Sequence, residues 1–561
     1  MTDGPPALAP TEQLSSSGTA GGMVGSPVLG KGGSRMAAES PDLTAIIDEH
    51  LDAFKKPGVL SVRPGFRVKN DWLTDRPSIV VTVREKVAQP PEGEMLPAEV
   101  VGVPVDVRQA SEQKRKELED PRAYAKQLRL APDLGSVPHF PDERTLDGSR
   151  PGPAASAHAQ LAAIAKPELN YSGPDGVALE PIEAEATIHL SVSPDNGWTT
   201  LKAFLAGTSE SLSVGLYDFT SGHVLAAVKD SLAGTRLALV LDHPAKNPTA
   251  NQTDAETVAD LTRTLGNAFN QAWALTRMDK EATAWIYPTA YHIKVAVRDQ
   301  SAFWLSSGNW NNSNQPDIDP ISNPNDATAA RHGDRDWHAV VEQPELAKVF
   351  EQYILHDLSV AEAHNNPPET PGPPLTPPGT GSSQTPAFNQ FFPAQTITGP
   401  IRITPLLTPD PGVYAGAVKA LIQAAQHTLY MQFQYIEPPK ETNATSQAFV
   451  DLLQAVADRQ SNRVEVKIIM SEFEKVGYLE QLQSIGLDVV NNVKIQNNVH
   501  NKGIIVDQKR VLVSSQNWST DGTLYNRDAG VIIDNETAAQ YFQQVFMHDW
   551  EHLAVRKVQS D

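Results

Sequence analysis

The sequence predicts an α/β protein built from two similar repeats, with a smaller α/β domain before them. Two long segments, 183–363 and 396–561, resemble each other. Each contains short apolar runs of strand character separated by helical patterns, which is typical of an α/β unit. A proline-dense stretch separates the two segments. Because similar units in one chain can pack about a pseudo-two-fold axis, we expect one shared site where they meet.

Length and composition limit the class of protein. The chain has 561 residues, of which 40% are hydrophobic and 20% charged, as in soluble proteins with several domains. Cysteine is absent, so disulfides, thiolate metal sites and cysteine nucleophiles are excluded. The N-terminal sequence lacks the regions of a signal peptide, and no apolar run approaches the roughly 20 residues that span a bilayer. We therefore expect a cytoplasmic protein without a transmembrane segment.

The chain divides into six segments. The first is rich in Gly, Ser, Pro and Ala and is predicted to be disordered. A helical pattern and alternating strands then predict the small accessory domain. One linker precedes the first repeat, and a proline-dense linker separates the two repeats. In chain order the predicted segments are 1–40, 41–111, 112–182, 183–363, 364–395 and 396–561.

The duplication is strongest in two ungapped stretches. HIKVAVRDQSAFWLSSGNW (292–310) aligns with HNKGIIVDQKRVLVSSQNW (500–518). RDWHAVVEQPELAKVFEQYILHDL (335–358) aligns with RDAGVIIDNETAAQYFQQVFMHDW (527–550). A turn, a helix and a strand upstream also match in the same order. Three matches in one order indicate an internal repeat.

Each copy of the first stretch predicts a β-hairpin that gathers polar side chains at one edge. Residues two apart in a strand share a face, so the histidine and the lysine point the same way. An aspartate lies where the chain turns and is expected to hold the hairpin. The returning strand then brings serine and asparagine back beside the histidine. In the two copies these residues are His292 and His500, Lys294 and Lys502, Asp299 and Asp507, Ser307 and Ser515, Asn309 and Asn517.

Two such hairpins that face each other would surround a small volume with imidazole, ammonium, hydroxyl and amide groups. This set suits an anion with several oxygens, and in particular a phosphodiester. Two histidines can supply a nucleophile and a proton donor to the leaving group. The lysines can neutralise the phosphoryl charge, and the motifs do not offer the acidic cluster of a two-metal site. No metal or other cofactor is therefore expected.

The pattern H-x-K-x4-D followed by a Ser-x-Asn segment, present twice, resembles the HKD motifs of the phospholipase D superfamily. The resemblance covers both repeats and not the residues before them. The family usually has glycine where this chain has Ser306 and Ser514. By this resemblance His292 is assigned as the nucleophile that forms a phosphohistidine and His500 as the acid and base, with the reverse order left open. The motif lysines and asparagines would bind the phosphate, supported by the motif serines.

The family also has an acidic residue beyond each motif that bonds the histidine of the opposite half. Asp336 and Asp528, both in Arg-Asp pairs, match it here, and a surface ion pair is the alternative interpretation of each pair. His356 and His548 also recur, each before an aspartate near the end of a predicted helix. We interpret these two histidines as structural.

The resemblance implies a phospholipase D-type phosphodiesterase that hydrolyses or transfers phospholipid headgroups. A metal-independent nuclease of the same superfamily, acting on DNA or RNA, is the alternative. The 46 Lys+Arg and 67 Asp+Glu give a net charge of −21, which disfavours a polyanion, although a local basic pocket remains compatible with it. A non-catalytic anion-binding module is the third hypothesis, and complete motifs in both repeats argue against it. Because both motifs lie in one chain, a monomer can form the site.

Overall fold

The computed structural model describes most of the accessory domain and of both repeats. The predicted N-terminal segment 1–40 lies outside the described residues, as do most of the two predicted linkers. No helix in the described part of the chain is long and apolar enough to cross a membrane. The described residues are 42–69, 72–87, 90–111, 114–115, 118, 140, 142–146, 172–232, 234–242, 251–277, 283–285, 290–363, 388, 390–410, 412–439, 442–471, 476–555 and 558–559.

The accessory domain is a mixed sheet with a helix against it. Its elements are α1 (Leu43–His50), β1 (Val59–Lys69), β2 (Trp72–Val83), β3 (Glu99–Val100), β4 (Val103–Gln109) and β5 (Arg144–Thr145). The strand order is β3-β4-β2-β1-β5, with β1 and β2 antiparallel and β2 and β4 parallel. Its core joins Ile47 of the helix to Val62, Ile79 and Val81 of the strands. Strand β5 comes from the segment predicted as the first linker.

The first repeat alternates strands and helices and ends in a hairpin, a strand and a long helix. Helix α4 starts with a capping box, in which Thr253 and Glu256 bond each other's backbone N–H groups and so satisfy two donors of the first turn. The elements are β6 (Ile182–Ser193), α2 (Gly197–Ala206), β7 (Ser211–Leu216), α3 (Gly222–Ser231), β8 (Arg236–Leu241), α4 (Asp254–Leu265), β9 (Phe269–Trp273), β10 (Leu275–Arg277), β11 (Thr283–Trp285), β12 (Lys294–Arg298), β13 (Ala302–Ser306), β14 (Asp336–Glu342) and α5 (Pro344–Ala363).

The second repeat follows the same order. Its elements are β15 (Gln395–Thr408), α6 (Val413–Gln423), β16 (Thr428–Phe433), α7 (Gln447–Ser461), β17 (Glu465–Ser471), α8 (Val476–Ile485), α9 (Val489–Asn492), β18 (Val493–Gln496), β19 (Lys502–Val506), β20 (Arg510–Ser514), β21 (Asp528–Asp534) and α10 (Glu536–His548). A last strand, β22 (Val558–Gln559), pairs with β2 of the accessory domain.

The two repeats form one continuous sheet of 14 strands. From the centre outward, β6-β14-β13-β12-β7-β8-β9 corresponds strand by strand to β15-β21-β20-β19-β16-β17-β18. Strands β6 and β15 pair antiparallel at the centre. Their register is symmetric, because the pair Thr187–Thr398 becomes the pair Arg402–Glu183 when the two repeats are exchanged. The α/β fold with two similar repeats, predicted from the sequence, is therefore confirmed. The pseudo-two-fold axis passes through the central strand pair.

Helices cover both faces of the sheet. Helices α5 and α10 lie on one face in a core that both repeats share, with Phe350 and Ile354 of α5 in the same cluster as Phe542 of α10. On the other face each repeat has its own core, which includes residues of α2–α4 in the first repeat and of α6–α8 in the second. Along β12, Val295 therefore belongs to the shared core and Ala296 to the core of the first repeat. The motif strands are buried on both faces.

The accessory domain packs against the second repeat through a buried ion cluster. The carboxylate of Glu480 in α8 bonds Arg63 at 2.7 Å, Arg108 at 2.9 Å and the backbone N–H of Phe66 at 3.1 Å. Burial disfavours the ionised carboxylate, but the two guanidinium groups outweigh it, so the pKa of Glu480 lies below its usual value. Phe66 and Val68 pack on the apolar core of the second repeat beside this cluster. The accessory domain is thus fixed on α8.

Candidate active site

The two motif histidines lie where each repeat contacts the other. His292 and His500 come two residues before the motif strands β12 and β19. The backbone N–H of His292 donates to the carbonyl of Arg527 at 2.7 Å, and that of His500 donates to the carbonyl of Arg335 at 3.1 Å. Each histidine is therefore anchored by the backbone of the opposite repeat.

Each histidine ring contacts a carboxylate of the opposite repeat. The Nδ1 atom of His292 lies 2.8 Å from Asp528, and that of His500 lies 3.1 Å from Asp336. Both aspartates are fully buried and begin the strands β21 and β14. Ionised Asp336 only accepts hydrogen bonds, so in a neutral His500 ring the proton lies on Nδ1, which leaves Nε2 for chemistry.

The motif serines hold these carboxylates. The Oγ of Ser307 donates to Asp336 at 2.7 Å, and the Oγ of Ser515 donates to Asp528 at 2.5 Å. Serine and carboxylate belong to the same repeat, whereas the histidine belongs to the other. Each half of the protein therefore prepares a carboxylate for the histidine of its partner repeat.

The motif lysines are fully buried beside the histidines. The ammonium group of each lysine donates to the backbone carbonyl of the histidine two residues earlier. The ammonium group of Lys502 also lies 3.1 Å and 3.2 Å from the ring nitrogens of His500. That of Lys294 lies 5.3 Å from the ring centroid of Tyr217, whose ring meets His292 edge-on at 5.0 Å. The predicted pairing of histidine and lysine thus occurs in both repeats.

Electrostatic effects connect the two half-sites. Burial and the ammonium group of Lys502, with a contribution from Lys294 of the other repeat, lower the pKa of His500 to about 4. Burial disfavours ionised Asp336, but His500 and Lys502 outweigh it and lower its pKa to about 2. At neutral pH we therefore assign neutral His500 beside ionised Asp336. The influence of Lys294 on His500 shows that the two half-sites form one cluster.

The carboxylate of the second repeat has a different environment. Burial raises the pKa of Asp528 to about 7, although Lys294, Ser515 and Lys502 oppose this shift. Two residues beyond Asp336, β14 carries His338, which is fully buried and lies 2.7 Å from Ser306 Oγ and 2.8 Å from Ser193 Oγ. The equivalent residue in the second repeat is Gly530, which pairs with Ser514 as His338 pairs with Ser306. The site is therefore asymmetric.

The motif asparagines are buried and incompletely bonded. Asn309 is 6% exposed and Asn517 7% exposed. Their side-chain oxygens have no hydrogen-bond partner among the described residues. Buried polar groups are normally paired, so these two acceptor oxygens are open to a hydrogen-bond donor of a ligand.

The motif aspartates lie at the turn and away from the histidines. Asp299 accepts hydrogen bonds from the backbone N–H groups of three residues, 209–211, and Asp507 accepts from those of 426–428. Both have φ of 52°, a left-handed conformation that tight hairpin turns require. Partial burial disfavours their ionised forms, but these N–H groups outweigh it and keep the pKa of each below its usual value. They hold the hairpins to neighbouring strands.

The structure places the two recurring histidines differently. His356 is half-buried on α5 and its Nε2 lies 2.8 Å from the carbonyl of Ser172. His548 is 7% exposed at the end of α10, where its ring packs edge-on against Phe392 at 5.5 Å. Neither contacts the motif histidines in any described interaction. The aspartates that follow them, which the sequence analysis did not single out, lie instead at the interface between the repeats.

Sequence reasoning also missed the arginines of the two Arg-Asp pairs. Arg335 and Arg527 are fully buried and bridge the repeats. The signal was present, because both arginines recur in the alignment at equivalent positions. It was not used, since arginine before aspartate is usually a surface ion pair.

Comparisons with known proteins agree with these motifs. Residues 418–550 match the family model described as "Cardiolipin synthase, PLD-like domain". The comparison with curated proteins found no match.

Three solved structures similar to this chain are a phosphatidylserine synthase and two Nuc-type proteins. The phosphatidylserine synthase of Haemophilus influenzae Rd KW20 is 12% identical, with a TM-score of 0.44, covering 65% of this chain and 87% of that one. Nuc of Salmonella typhimurium, a phospholipase D family member, is 21% identical, with a TM-score of 0.22, covering 28% of this chain and 97% of that one. NucT of Helicobacter pylori is 16% identical, with a TM-score of 0.23, covering 32% of this chain and 98% of that one.

The matched segment contains the whole second motif, from His500 and Lys502 to Asn517 and Asp528. The first repeat carries the equivalent residues in equivalent strands. The match to a phospholipase D-like domain model therefore covers most of the second repeat, and the first repeat shares its motif residues.

Proposed function

We propose that this protein is a phospholipase D-type phosphodiesterase that hydrolyses phospholipid headgroups, or transfers them to another alcohol, through a phosphohistidine intermediate. One observation carries the proposal. Two histidines are each bonded through Nδ1 to a buried carboxylate of the opposite repeat, with a buried lysine beside each ring. This leaves two imidazole Nε2 atoms and two ammonium groups for one phosphate.

In the first step Nε2 of His292 attacks phosphorus while the bond to the leaving alkoxide breaks. His500 gives its proton to that oxygen, so that the headgroup leaves as a neutral alcohol. Lys294, Lys502 and the motif asparagines bind the phosphate oxygens, where charge develops. Since His500 is neutral in the free protein, the bound phosphate anion must raise its proton affinity, as a nearby negative charge does.

In the second step His500 accepts a proton from water while the water oxygen attacks phosphorus. The phosphorus–nitrogen bond breaks, and His292 returns to its neutral form, in which Nδ1 keeps its proton and donates it to Asp528. An alcohol in place of water gives transfer instead of hydrolysis. Asp528 and Asp336 hold the ring orientation and stabilise imidazolium in both steps, as the aspartate of a catalytic triad does.

Two features support a phospholipid substrate over nucleic acid. The net charge of −21 lacks the basic footprint that polyanion binding requires. The family model that matches residues 418–550 is described by a phospholipid-synthesising activity. We also propose that the monomer is active, since every histidine–carboxylate contact occurs within one chain.

The test is a turnover assay on two substrates. Choline release from phosphatidylcholine vesicles is measured for the wild type and for His292→Ala and His500→Ala, beside cleavage of a single-stranded oligonucleotide in EDTA. We expect choline release that falls by about 10³-fold or more in both variants. His427→Ala is the matched control, because His427 is exposed and its backbone N–H contacts the turn aspartate Asp507.

Oligonucleotide cleavage without choline release would select the nuclease instead. Unchanged turnover in both motif variants would remove the proposed chemistry for either substrate. A phosphate adduct trapped on His292 and absent from His292→Ala would identify the nucleophile, whereas an adduct on His500 would exchange the two roles.

A further inference from the structure

The arginine before each histidine-bonded carboxylate forms a buried ion pair with the other repeat. Arg335 bonds Asp549 through two parallel contacts of 2.9 Å and 3.1 Å. It also bonds Asp195 of its own repeat at 2.6 Å. All three side chains are completely buried.

The second repeat repeats this arrangement. Arg527 bonds Asp357 of the first repeat at 3.0 Å and Asp410 of its own repeat at 3.2 Å. Arg527 and Asp357 are completely buried. In both clusters the partner from the other repeat follows the recurring histidine of the long helix. The duplicated His-Asp pairs of the sequence therefore supply the aspartates that cross the interface.

Each of these aspartates is also linked to the segment that carries a motif histidine. In the first repeat, the hydroxyl of Tyr291 donates to Asp357 at 3.2 Å, and Tyr291 directly precedes His292. In the second repeat, the amide of Gln432 donates to Asp549 at 3.0 Å. The amide of Asn501, which directly follows His500, donates in turn to Gln432 at 3.2 Å.

The backbone of each arginine contacts the same histidine segment. The N–H of Arg527 donates to Ala290 at 2.8 Å, and its carbonyl accepts from His292. The N–H of Arg335 donates to Asn498 at 2.7 Å, and its carbonyl accepts from His500. One arginine therefore holds both sides of a histidine–carboxylate contact, because the carboxylate is its next residue and the histidine is bonded to its backbone.

We propose that Arg527–Asp357 is the positioning pair for the His292–Asp528 contact, and that Arg335–Asp549 is the positioning pair for the His500–Asp336 contact. The proposal rests on the proposed function, since it assigns these pairs a role in that chemistry. A fully buried ion pair adds little net stability over apolar side chains of similar size. Its value here is geometric. Arg335 fixes Asp549 through two parallel contacts, and Arg527 holds Asp357 and Asp410 together, so each arginine sets the separation of the backbones that it joins.

The experiment separates the two chemical steps with bis(p-nitrophenyl) phosphate. The leaving p-nitrophenolate needs no proton, so phosphohistidine formation, seen as a burst, depends on His292 and not on His500. Breakdown of the phosphohistidine needs His500 as the base and sets the steady rate. Asp357→Asn and Asp549→Asn are compared by stopped flow, with Glu342→Gln, which weakens the partly exposed pair with Arg298, as the matched acid-to-amide control.

We expect Asp357→Asn to slow the burst by about 100-fold, since a misplacement of about 1 Å can cost that factor. Asp549→Asn should keep the burst rate and lower the steady rate by a similar factor, with KM nearly unchanged in both. A burst and a steady rate that fall by the same factor in both variants would overturn the proposal. If instead Asp549→Asn slows the burst and Asp357→Asn lowers only the steady rate, the positioning pairs stand and the two histidines exchange roles. A wild type without a burst or turnover would instead count against the proposed function.

A second variant covers the case in which an amide at position 357 prevents folding. Tyr291→Phe removes one hydroxyl from the Asp357 cluster and leaves the Arg527 ion pair in place. We expect a burst about ten-fold slower, since near-attack geometry controls this step. Tyr430→Phe, which removes a tyrosine–carboxylate contact with Glu465, is its control. An unchanged burst rate in Tyr291→Phe would overturn the link between the ion pair and His292.

Discussion

Neutralising the two carboxylates that contact the histidines should have opposite effects on stability. Burial raises the pKa of Asp528 from its usual value of 3.8 to about 7. For Asp336, His500 and Lys502 outweigh burial and lower the pKa to about 2. Asparagine at either position keeps an acceptor for the histidine and the serine but carries no charge. Asp528→Asn and Asp336→Asn therefore form a matched pair at equivalent positions of the two repeats.

The direction in which stability changes with pH depends on whether the native or the unfolded state holds the proton. Between pH 3.8 and about 7, native Asp528 keeps a proton that the unfolded chain has lost. Its stabilising contribution is therefore present at low pH and is lost as the pH rises through about 7. At about 1.4 kcal/mol per pK unit, the loss between about pH 5 and about pH 8 is roughly 2–3 kcal/mol. Asp336 contributes about 2 kcal/mol that is present above its unfolded pKa and lost only as the pH falls through about 2.

The assay is urea unfolding of the wild type and both variants at these two pH values, so that other titrating groups cancel. The free energy of unfolding of Asp528→Asn, measured relative to that of the wild type, should rise by roughly 2–3 kcal/mol between about pH 5 and about pH 8. Asp336→Asn should be less stable than the wild type by about 2 kcal/mol at both pH values. Turnover should fall by about 10³-fold or more in both variants, since neither can stabilise imidazolium. Stability changes of the same sign and pH dependence would refute the asymmetry of the site.

Three further predictions follow from other parts of the structure. Glu480→Gln leaves Arg63 and Arg108 without their buried partner and should lower the free energy of unfolding in urea by roughly 3–5 kcal/mol. A change below about 1 kcal/mol would show that the cluster is hydrated. Asp507→Ala removes an acceptor for three N–H groups at a turn and should cost about 2–3 kcal/mol while kcat stays within about three-fold; a kcat loss as large as that of a motif histidine would place Asp507 at the substrate. Turnover should persist in EDTA because lysines supply the positive charge, and a loss that added Mg²⁺ or Ca²⁺ restores would contradict this.

Much of the fold could be predicted because the sequence contains two copies of the same repeat. The ungapped hairpin stretches place His292 and His500 at equivalent strand ends, and alternation puts each lysine beside its histidine. The continuity of the sheet could not be predicted, because the register of β6 on β15 depends on contacts between segments far apart in the chain. The position of the accessory domain could not be predicted either, because in the sequence Glu480 has the pattern of a solvent-exposed helix residue and its arginine partners lie far away in the chain.

The carboxylates of the site came from family resemblance, and their surroundings required the structure. Asp336 and Asp528 stand in identical Arg-Asp pairs, yet they differ in environment. One reason lies two residues further along the strand, where His338 in the first repeat corresponds to Gly530 in the second. A sequence pattern that scores matching positions gives such differences no weight, although they decide proton affinity.

The contacts give a physical reason for keeping both repeats in one chain. The histidine of each repeat bonds a carboxylate of the other, so neither repeat alone contains a complete pair. An identical pair of repeats would give two histidines of equal proton affinity, whereas a nucleophile and a proton donor require different ones. Fusion lets the halves diverge at Tyr217, which lies on His292, while the equivalent position holds Gln434, which lies 3.4 Å from Lys502. In the proposed mechanism both histidine–carboxylate contacts need a fixed geometry, which is why an arginine crosses the interface beside each one, and the neighbouring residues differ because the two histidines are proposed to perform different steps.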